Sequence, residues 1–234
     1  MTPADLYATL DATWPAAATR SIGPWTVRAG QGGGQRVSAT TAHAPWTAAD
    51  IPLAEAEMAA LGQPALFMIR DGDGALDTEL AARGYRLNDP VVAYAAPCAP
   101  IAAPDQMTTF PHWPPLGIAT DLWAEAGTNA ARIAVMHRTT TAKTVILGRQ
   151  NDRAAGVAFV AIHRQIAMLH ALEVAAHMRR QGSANNILRA AAHWAHDNGA
   201  TTLSLVVTQA NTNARALYAS LGMEVVGQYH YRLK

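Results

Sequence analysis

The feature that most limits the fold of this chain is a strand, a turn and a helix that follow one another over residues 166–184. The apolar stretch IAMLHALEV is suited to a buried strand, and the turn after it carries Arg179, Gly182 and Ala184 just before a helix. Small residues and free N–H groups at a helix N-terminus let a phosphate approach the backbone closely. The turn therefore predicts an anion site, although Arg-x-x-Gly-x-Ala alone is a weak pattern.

The rest of the C-terminal half reads as further strands and helices. Helical spacing over 118–138, interrupted near Gly127-Thr128, predicts two short helices, and the apolar stripe of 183–198 predicts one long helix. Strands are expected at 144–148, 156–163 and 202–207, and as a final pair at 224–228 and 229–233. Antiparallel strands followed by alternating strands and helices predict a mixed α/β sheet with helices on both faces.

A second motif follows the strand at 202–207. Asn211, Ala214, Leu217, Tyr218 and Gly222 stand in the order N-x-x-A-x-x-L-Y-x-x-x-G-F, with Met223 in the last place. Together with the turn, this stretch resembles the GCN5-related N-acetyltransferase (GNAT) superfamily, and the resemblance covers residues 106–234. It implies an acyl-CoA N-acyltransferase fold, acetyl-CoA as co-substrate and direct attack by an amine in a ternary complex.

The resemblance also implies which residues bind the cofactor. The loop and helix start would hold the pyrophosphate, the backbone of the preceding strand would pair with the pantetheine amides, and Asn211 would orient the cofactor arm. These residues are Leu172, Val174, Arg179, Arg180, Gln181, Gly182, Ser183, Ala184, Asn211 and Ala214. Asn211 could instead serve as a helix cap, and Arg180 could be a surface charge.

Three residues are candidates for the chemistry. In the family, a tyrosine at the position of Tyr218 protonates the departing thiolate; the alternative is a buried aromatic. His170 is the candidate base, because its surroundings are similar to a strand of serotonin N-acetyltransferase, and Glu173 is the second candidate. The alternative for His170 is a histidine held by hydrogen bonds in the sheet, and for Glu173 a solvated side chain. A bulge near Leu172 would change the face on which His170 lies. His193 and His196 lack a third ligand, so no metal is expected.

At 234 residues the chain is long enough for two domains, and the prolines between residues 95 and 115 predict a linker. Residues 65–87 align without gaps on 203–225, with the same order of strand, turn, helix and Gly-apolar pair. Residues 1–100 are therefore expected to form a degenerate GNAT-like or accessory domain, and 101–234 the catalytic one. The first domain lacks a phosphate loop and has Leu80 in the place of Tyr218, so we expect it to bind no coenzyme A.

The composition of the chain indicates which kinds of binding partner and which location to expect. Residues 1–100 carry six arginines and ten acidic residues, whereas 101–234 carry twelve basic and seven acidic ones, which suits an anionic cofactor better than nucleic acid. Cys98 is the only cysteine, no apolar run is long enough to span a membrane, and the start does not read as a signal peptide, so a cytoplasmic location is expected. A docked first domain would favour a monomer over a homodimer. The remaining alternative is a non-catalytic acyl-CoA-binding regulatory module.

Overall fold

The computed structural model describes all 234 residues. The helices are α1 (Pro3–Thr13), α2 (Ile51–Ala60), α3 (Gly74–Ala82), α4 (Gly117–Glu125), α5 (Ala130–Arg138), α6 (Ser183–Asp197) and α7 (Thr212–Ser220). The strands are β1 (Ala18–Ile22), β2 (Trp25–Ala29), β3 (Thr41–Ala42), β4 (Leu66–Ile69), β5 (Arg86–Pro97), β6 (Thr109–His112), β7 (Lys143–Gln150), β8 (Arg153–His163), β9 (Ile166–Val174), β10 (Thr202–Thr208) and β11 (Glu224–Leu233). No helix is long and apolar enough to cross a membrane.

One mixed sheet organises the molecule. Eight strands lie in the order β4-β11-β5-β10-β9-β8-β7-β6, and β1, β2 and β3 form a separate small sheet. Within the large sheet only β9 and β10 are parallel, and their pairing runs from Ile166↔Thr202 to Leu169↔Leu205 and then stops. This confirms the mixed α/β sheet, and it places a gap between two strands at the sheet centre.

Helices cover both faces of the sheet, as the alternation along β8 requires. Ala158, Val160 and Ile162 pack with α6, whereas Val157 and Phe159 pack with α4 and α5 on the other face. The predicted apolar stripe of α6 is confirmed, because Ile187, Leu188, Ala191 and Ala195 are buried in this core and Trp194 is partly buried against it.

Two glycines explain how closely α6 approaches the sheet. A Cβ at Gly148 would lie 2.7 Å from Cδ1 of Ile187, and one at Gly156 would lie 3.1 Å from the same atom. The absence of side chains at these positions lets Ile187 reach the strands and be completely buried. Such burial stabilises the fold by about 1.5–3 kcal/mol.

The N-terminal segment shares the large sheet with the C-terminal segment. β5 lies between β10 and β11, and β11 lies between β5 and β4. When the gap-free alignment of 65–87 on 203–225 is continued, Leu66 corresponds to Ser204, and Ala95 corresponds to Leu233. In the sheet Leu66 pairs with Leu233, and Ser204 pairs with Ala95. The two strand–helix–strand units therefore exchange their last strands with matching registers.

Two predictions about chain organisation were wrong. The expected final strand pair is the single strand β11, whose antiparallel partners are β4 and β5. Gly227 within this strand leaves room for α1, because a Cβ there would lie 2.8 Å from Cδ2 of Leu6. The expected linker at 95–115 is shorter, since β5 continues to Pro97 and β6 begins at Thr109; Pro111 is tolerated in β6 because that strand is at the sheet edge.

Candidate active site

The gap between β9 and β10 opens into a cavity of about 670 Å³. Each strand keeps its outer neighbour, β8 for β9 and β5 for β10, but the two separate beyond Leu169 and Leu205. The cavity is lined by the end of β9, the turn before α6 and the start of α7: Leu172, Glu173, Val174, Met178, Arg179, Arg180, Gly182, Ser183, Ala184, Asn185, Asn211, Asn213, Ala214, Leu217 and Tyr218. Of the thirteen residues singled out from the sequence, only His170 and Gln181 are not in this lining.

The turn before α6 exposes an electropositive rim. Gly182 is the N-cap of α6 with φ +88° and ψ −9°, and a Cβ there would meet nothing within 4 Å. The side chains of Arg179 and Arg180 are exposed, and Arg179 Nε donates to the carbonyl of Val174 at 3.1 Å. A helix N-terminus beside two guanidinium groups favours a bound anion.

The first turn of α6 also contains polar atoms without partners. Ser183 Oγ and Asn185 Oδ1 are buried and form no hydrogen bond within the chain. Leaving such atoms unsatisfied costs about 1–3 kcal/mol each. A ligand seated on this turn can supply the missing partner for the Ser183 hydroxyl. Gln181 is exposed and donates to the carbonyl of His177 at 3.3 Å, on the outside of the turn.

A β-bulge shapes the end of β9. Phe159 on β8 faces His170 and Val157 faces Glu173, so β9 has one more residue than β8 in this interval. Ala171 at the bulge has φ +49°, and its carbonyl accepts a hydrogen bond of 2.8 Å from Trp123 Nε1. Beyond the bulge, the edge of β9 that carries Leu172 and Val174 has no partner strand on the cavity side.

Tyr218 lies at the inner end of the cavity. It is only 6% exposed, and its ring centroid is 5.7 Å from that of Tyr94. Burial, followed by the nearby Glu173 carboxylate and Tyr94, raises the pKa of Tyr218 to about 12. The phenol is therefore protonated at neutral pH. At the start of the same helix, Asn211 Oδ1 accepts a hydrogen bond of 3.1 Å from Ala214 N, so Asn211 caps α7 while it lines the cavity.

Glu173 is the one carboxylate in the cavity lining. Burial raises its pKa above the usual range, and the guanidinium groups of Arg132 and Arg179 counteract only part of this rise. It takes part in none of the ion pairs of the chain. A carboxylate with a raised pKa and no fixed partner is suited to accept a proton.

His170 lies on the other side of the sheet, because the bulge ends the regular alternation before Leu172. It is 4% exposed, and its ring packs 4.9 Å from that of Trp14. Arg36 Nη1 lies 3.0 Å from Nδ1, and Thr13 Oγ1 lies 2.9 Å from Nε2. Since a guanidinium only donates, Nδ1 accepts, Nε2 carries the proton, and both ring nitrogens are occupied.

The charge of His170 is fixed by the same neighbours. Burial, together with repulsion by Arg36 and Arg132, holds the pKa of His170 well below its usual range. The imidazole is therefore neutral at physiological pH. Sequence reasoning missed Thr13, Trp14, Arg36 and Arg132, because no motif links these positions to the strand they surround.

A second cavity, of about 430 Å³, lies beside the exchanged strands. Its lining includes Asp71, Asp77, Gln209, Gln228 and His230. Its two carboxylates outnumber its one arginine, Arg70, so it is less suited to a polyphosphate than the turn before α6.

Comparisons with known proteins agree with this geometry. Residues 108–223 match the model of the acetyltransferase (GNAT) family. The chain is 27% identical over 239 residues to YobR, an uncharacterized N-acetyltransferase of Bacillus subtilis, with 95% of each chain covered.

Among solved structures, a GCN5-related N-acetyltransferase from Kribbella flavida is similar in fold, with a TM-score of 0.72 and 16% identity over 99% of this chain and 95% of that one. A tandem GNAT protein from the clavulanic acid biosynthesis pathway has a TM-score of 0.59 and 13% identity, over 84% of this chain and 74% of that one. At these identities the likeness concerns the fold.

Proposed function

We propose that this chain, whose residues 108–223 match the model of the acetyltransferase (GNAT) family, transfers an acetyl group from acetyl-CoA to the primary amine of a small molecule, an amino acid or a peptide N-terminus. The observation that carries the proposal is the cavity between β9 and β10. It brings Glu173, Tyr218 and the N-terminus of α6 to one space. Enzymes of this family use acetyl-CoA as the acetyl donor.

The lining residues fit such a donor. Arg179, Arg180 and the free N–H groups from Ser183 onward would hold the pyrophosphate, and the open space above Gly182 admits it. The edge of β9 at Leu172 and Val174 would pair with the pantetheine amides as an added strand does. Asn211 and Ala214 line the opposite wall, where the arm of the cofactor would pass.

Glu173 is the residue that we assign as the base that accepts the proton of the acceptor amine. An ammonium must lose a proton before it can attack, and Glu173 faces the cavity with a raised pKa. The amine nitrogen then bonds to the thioester carbonyl carbon, the carbon–sulfur bond breaks, and the sulfur leaves as a thiolate. His170 is the alternative base, but its acceptor nitrogen is engaged by Arg36.

Tyr218 is assigned to the departing sulfur. Its phenol is protonated at neutral pH, since its pKa is raised to about 12. Full transfer to a thiolate with a pKa of about 8.5 would be uphill by roughly 5 kcal/mol. Stabilisation of the thiolate by a donated hydrogen bond therefore contributes more than complete proton transfer, and solvent can supply the proton after release.

We also propose a tandem organisation, with a degenerate first unit in residues 1–100 and the catalytic unit in 101–234. The matching registers of the exchanged strands support it, as does the fold likeness to a tandem GNAT protein. The first unit has Leu80 in the position of Tyr218 and should bind no coenzyme A. It would shape the acceptor side and favour a monomer over a homodimer.

The test is a calorimetric titration with coenzyme A, followed by thiol release from acetyl-CoA across a panel of amines. The proposal predicts binding at a single site and release that depends on the amine. Binding without amine-dependent release would indicate the non-catalytic acyl-CoA-binding module instead. Absence of binding would refute the cofactor site.

A further inference from the structure

Two arginines lie against one buried tryptophan on the face of the sheet opposite α6. The guanidinium carbons of Arg36 and Arg132 are each 5.9 Å from the ring centroid of Trp14, which is 4% exposed. The two groups come from distant parts of the chain, the turn after β2 and the helix α5. Two like charges at one ring repel each other unless an anion joins them.

Neither guanidinium has a carboxylate within ion-pair distance. Arg36 Nη1 donates to the neutral ring of His170, and the nearby side chains of Tyr229 and Tyr231 raise the pKa of Arg36 in spite of its burial. Arg36 Nε nevertheless is buried without any partner. The side chain of Arg132 donates no hydrogen bond, and neither residue belongs to an ion pair. Buried charges are normally paired, because an unpaired donor in the interior is costly.

The surrounding contacts hold the pair in place. Gly33 is buried against α5, where a Cβ would lie 2.7 Å from Cγ2 of Val135, so the glycine-rich turn packs directly on the helix that carries Arg132. His170 is fixed in turn, because its Nε2 donates to Thr13 Oγ1 and that hydroxyl donates to the carbonyl of Thr9 at 2.7 Å. The turn before Arg36, the helix that carries Arg132 and the ring of His170 are therefore fixed relative to one another.

Glu173 connects this site to the cofactor cavity. It lines the cavity with Tyr218, and it follows His170, the contact of Arg36, by three residues on β9. Arg132 is near enough to oppose the rise in the pKa of Glu173. With two guanidinium groups, one carboxylate and a neutral His170, the cluster carries a net charge of +1. Glu173 can pair with an ammonium group, which leaves the two guanidinium groups to face a carboxylate on the same ligand.

We propose that Arg36 and Arg132 form the acceptor subsite, and that the acceptor is an amine that carries one carboxylate, as a free amino acid does. The carboxylate joins the two guanidinium groups beside Trp14 and supplies the missing partner of Arg36 Nε. The amine nitrogen is then directed to Glu173 and to the thioester. His170 is a positioning residue that orients Arg36. The inference rests on the proposed acetyl transfer.

The experiment compares amino acids with their carboxamides, which keep the amine and lose the negative charge. Thiol release from acetyl-CoA gives kcat/KM for each member of a pair, and calorimetry in the presence of coenzyme A gives binding without turnover. The acid should exceed its amide by on the order of 10- to 100-fold, the range of a charge-assisted hydrogen bond. Arg132→Gln should remove this preference, whereas Arg153→Gln, which removes an exposed and unpaired charge, should keep it.

Three results would overturn the inference. Equal kcat/KM for acids and amides in the unaltered enzyme would show that no carboxylate is recognised. A preference that survives both Arg132→Gln and Arg36→Gln would place the recognition elsewhere. If no amine is acetylated, the proposed function fails, and the calorimetric measurement then tests the subsite alone. Binding that favours the acid over its amide, and that Arg132→Gln abolishes, would still support the subsite. Equal binding of the acid and its amide would reject it.

Discussion

Replacement of Gly182 by glutamate tests the cofactor site by charge. Gly182 is the N-cap of α6 in a left-handed conformation, with φ +88° and open space where a side chain would begin. A glutamate there would point its carboxylate into the space that we assign to the pyrophosphate. The left-handed backbone costs about 1–2 kcal/mol for a residue with a Cβ. The favourable interaction of a negative charge with a helix N-terminus offsets about 0.3–1 kcal/mol of this backbone cost.

The effect on binding should be larger than the effect on folding. Two charges 4 Å apart interact by about 1 kcal/mol in bulk water and about 4 kcal/mol near a protein surface. Because the loop is exposed, we take about 1–2 kcal/mol for each of about two phosphate charges, which gives about 2–4 kcal/mol. Coenzyme A should then bind about 30- to 1000-fold more weakly.

Gly199→Glu is the matched control. Gly199 follows the other end of α6 with φ +86°, and a Cβ there also meets nothing within 4 Å. Both variants therefore introduce the same side chain and the same backbone strain. Calorimetric titration should show a large loss of affinity in Gly182→Glu and less than a threefold change in Gly199→Glu. Equal affinities in the two variants would refute the assignment of the phosphate site.

Other substitutions test the chemistry and the packing. Tyr218→Phe removes a hydrogen-bond donor to the developing thiolate, so it should lower kcat about 10²–10³-fold with the affinity for coenzyme A unchanged. Unchanged kcat would make Tyr218 structural. Glu173 faces Arg132, Arg179 and Tyr218, and its raised pKa places the loss of activity on acidification above pH 4.5. Glu173→Gln should abolish that pH limb, whereas His170→Gln should leave its position unchanged, because the imidazole is already neutral; a shift in His170→Gln alone would return the base role to His170. Gly156→Ala would place a Cβ 2.6 Å from the carbonyl oxygen of Glu173, so it should destabilise the fold by about 1–3 kcal/mol and lower the Tm. Gly117→Ala is the control and should leave the Tm unchanged, because a Cβ there meets nothing within 4 Å.

Local signals in the sequence were sufficient for the cofactor side of the site. The turn before α6, the stripe that contains Ile187 and the motif around Tyr218 each depend on neighbours close in the chain. Their predicted helices and strands are confirmed to within a few residues. Local patterns of this kind determine where α6 begins and which of its faces is buried.

The side of the site that we assign to the acceptor could not be predicted in the same way. The face of the sheet on which His170 lies depends on a bulge at Ala171, where φ is positive. Alanine rarely adopts a positive φ, so the residue type gives no sign of the bulge. The insertion of β5 between β10 and β11 depends on long-range pairing, and a strand pattern indicates which residues face the core without naming the partner strand. Arg36 and Arg132 lie near the same ring, that of Trp14, and the glycine turn before Arg36 packs on α5, which carries Arg132.

An experimental structure with bound coenzyme A would test the central claim most directly. We expect the pyrophosphate against the N–H groups at the start of α6, the pantetheine along the edge of β9 at Leu172 and Val174, and the sulfur beside Tyr218. Coenzyme A bound in the smaller cavity near Asp71 and Gln209, or with its sulfur remote from Glu173 and Tyr218, would contradict the account.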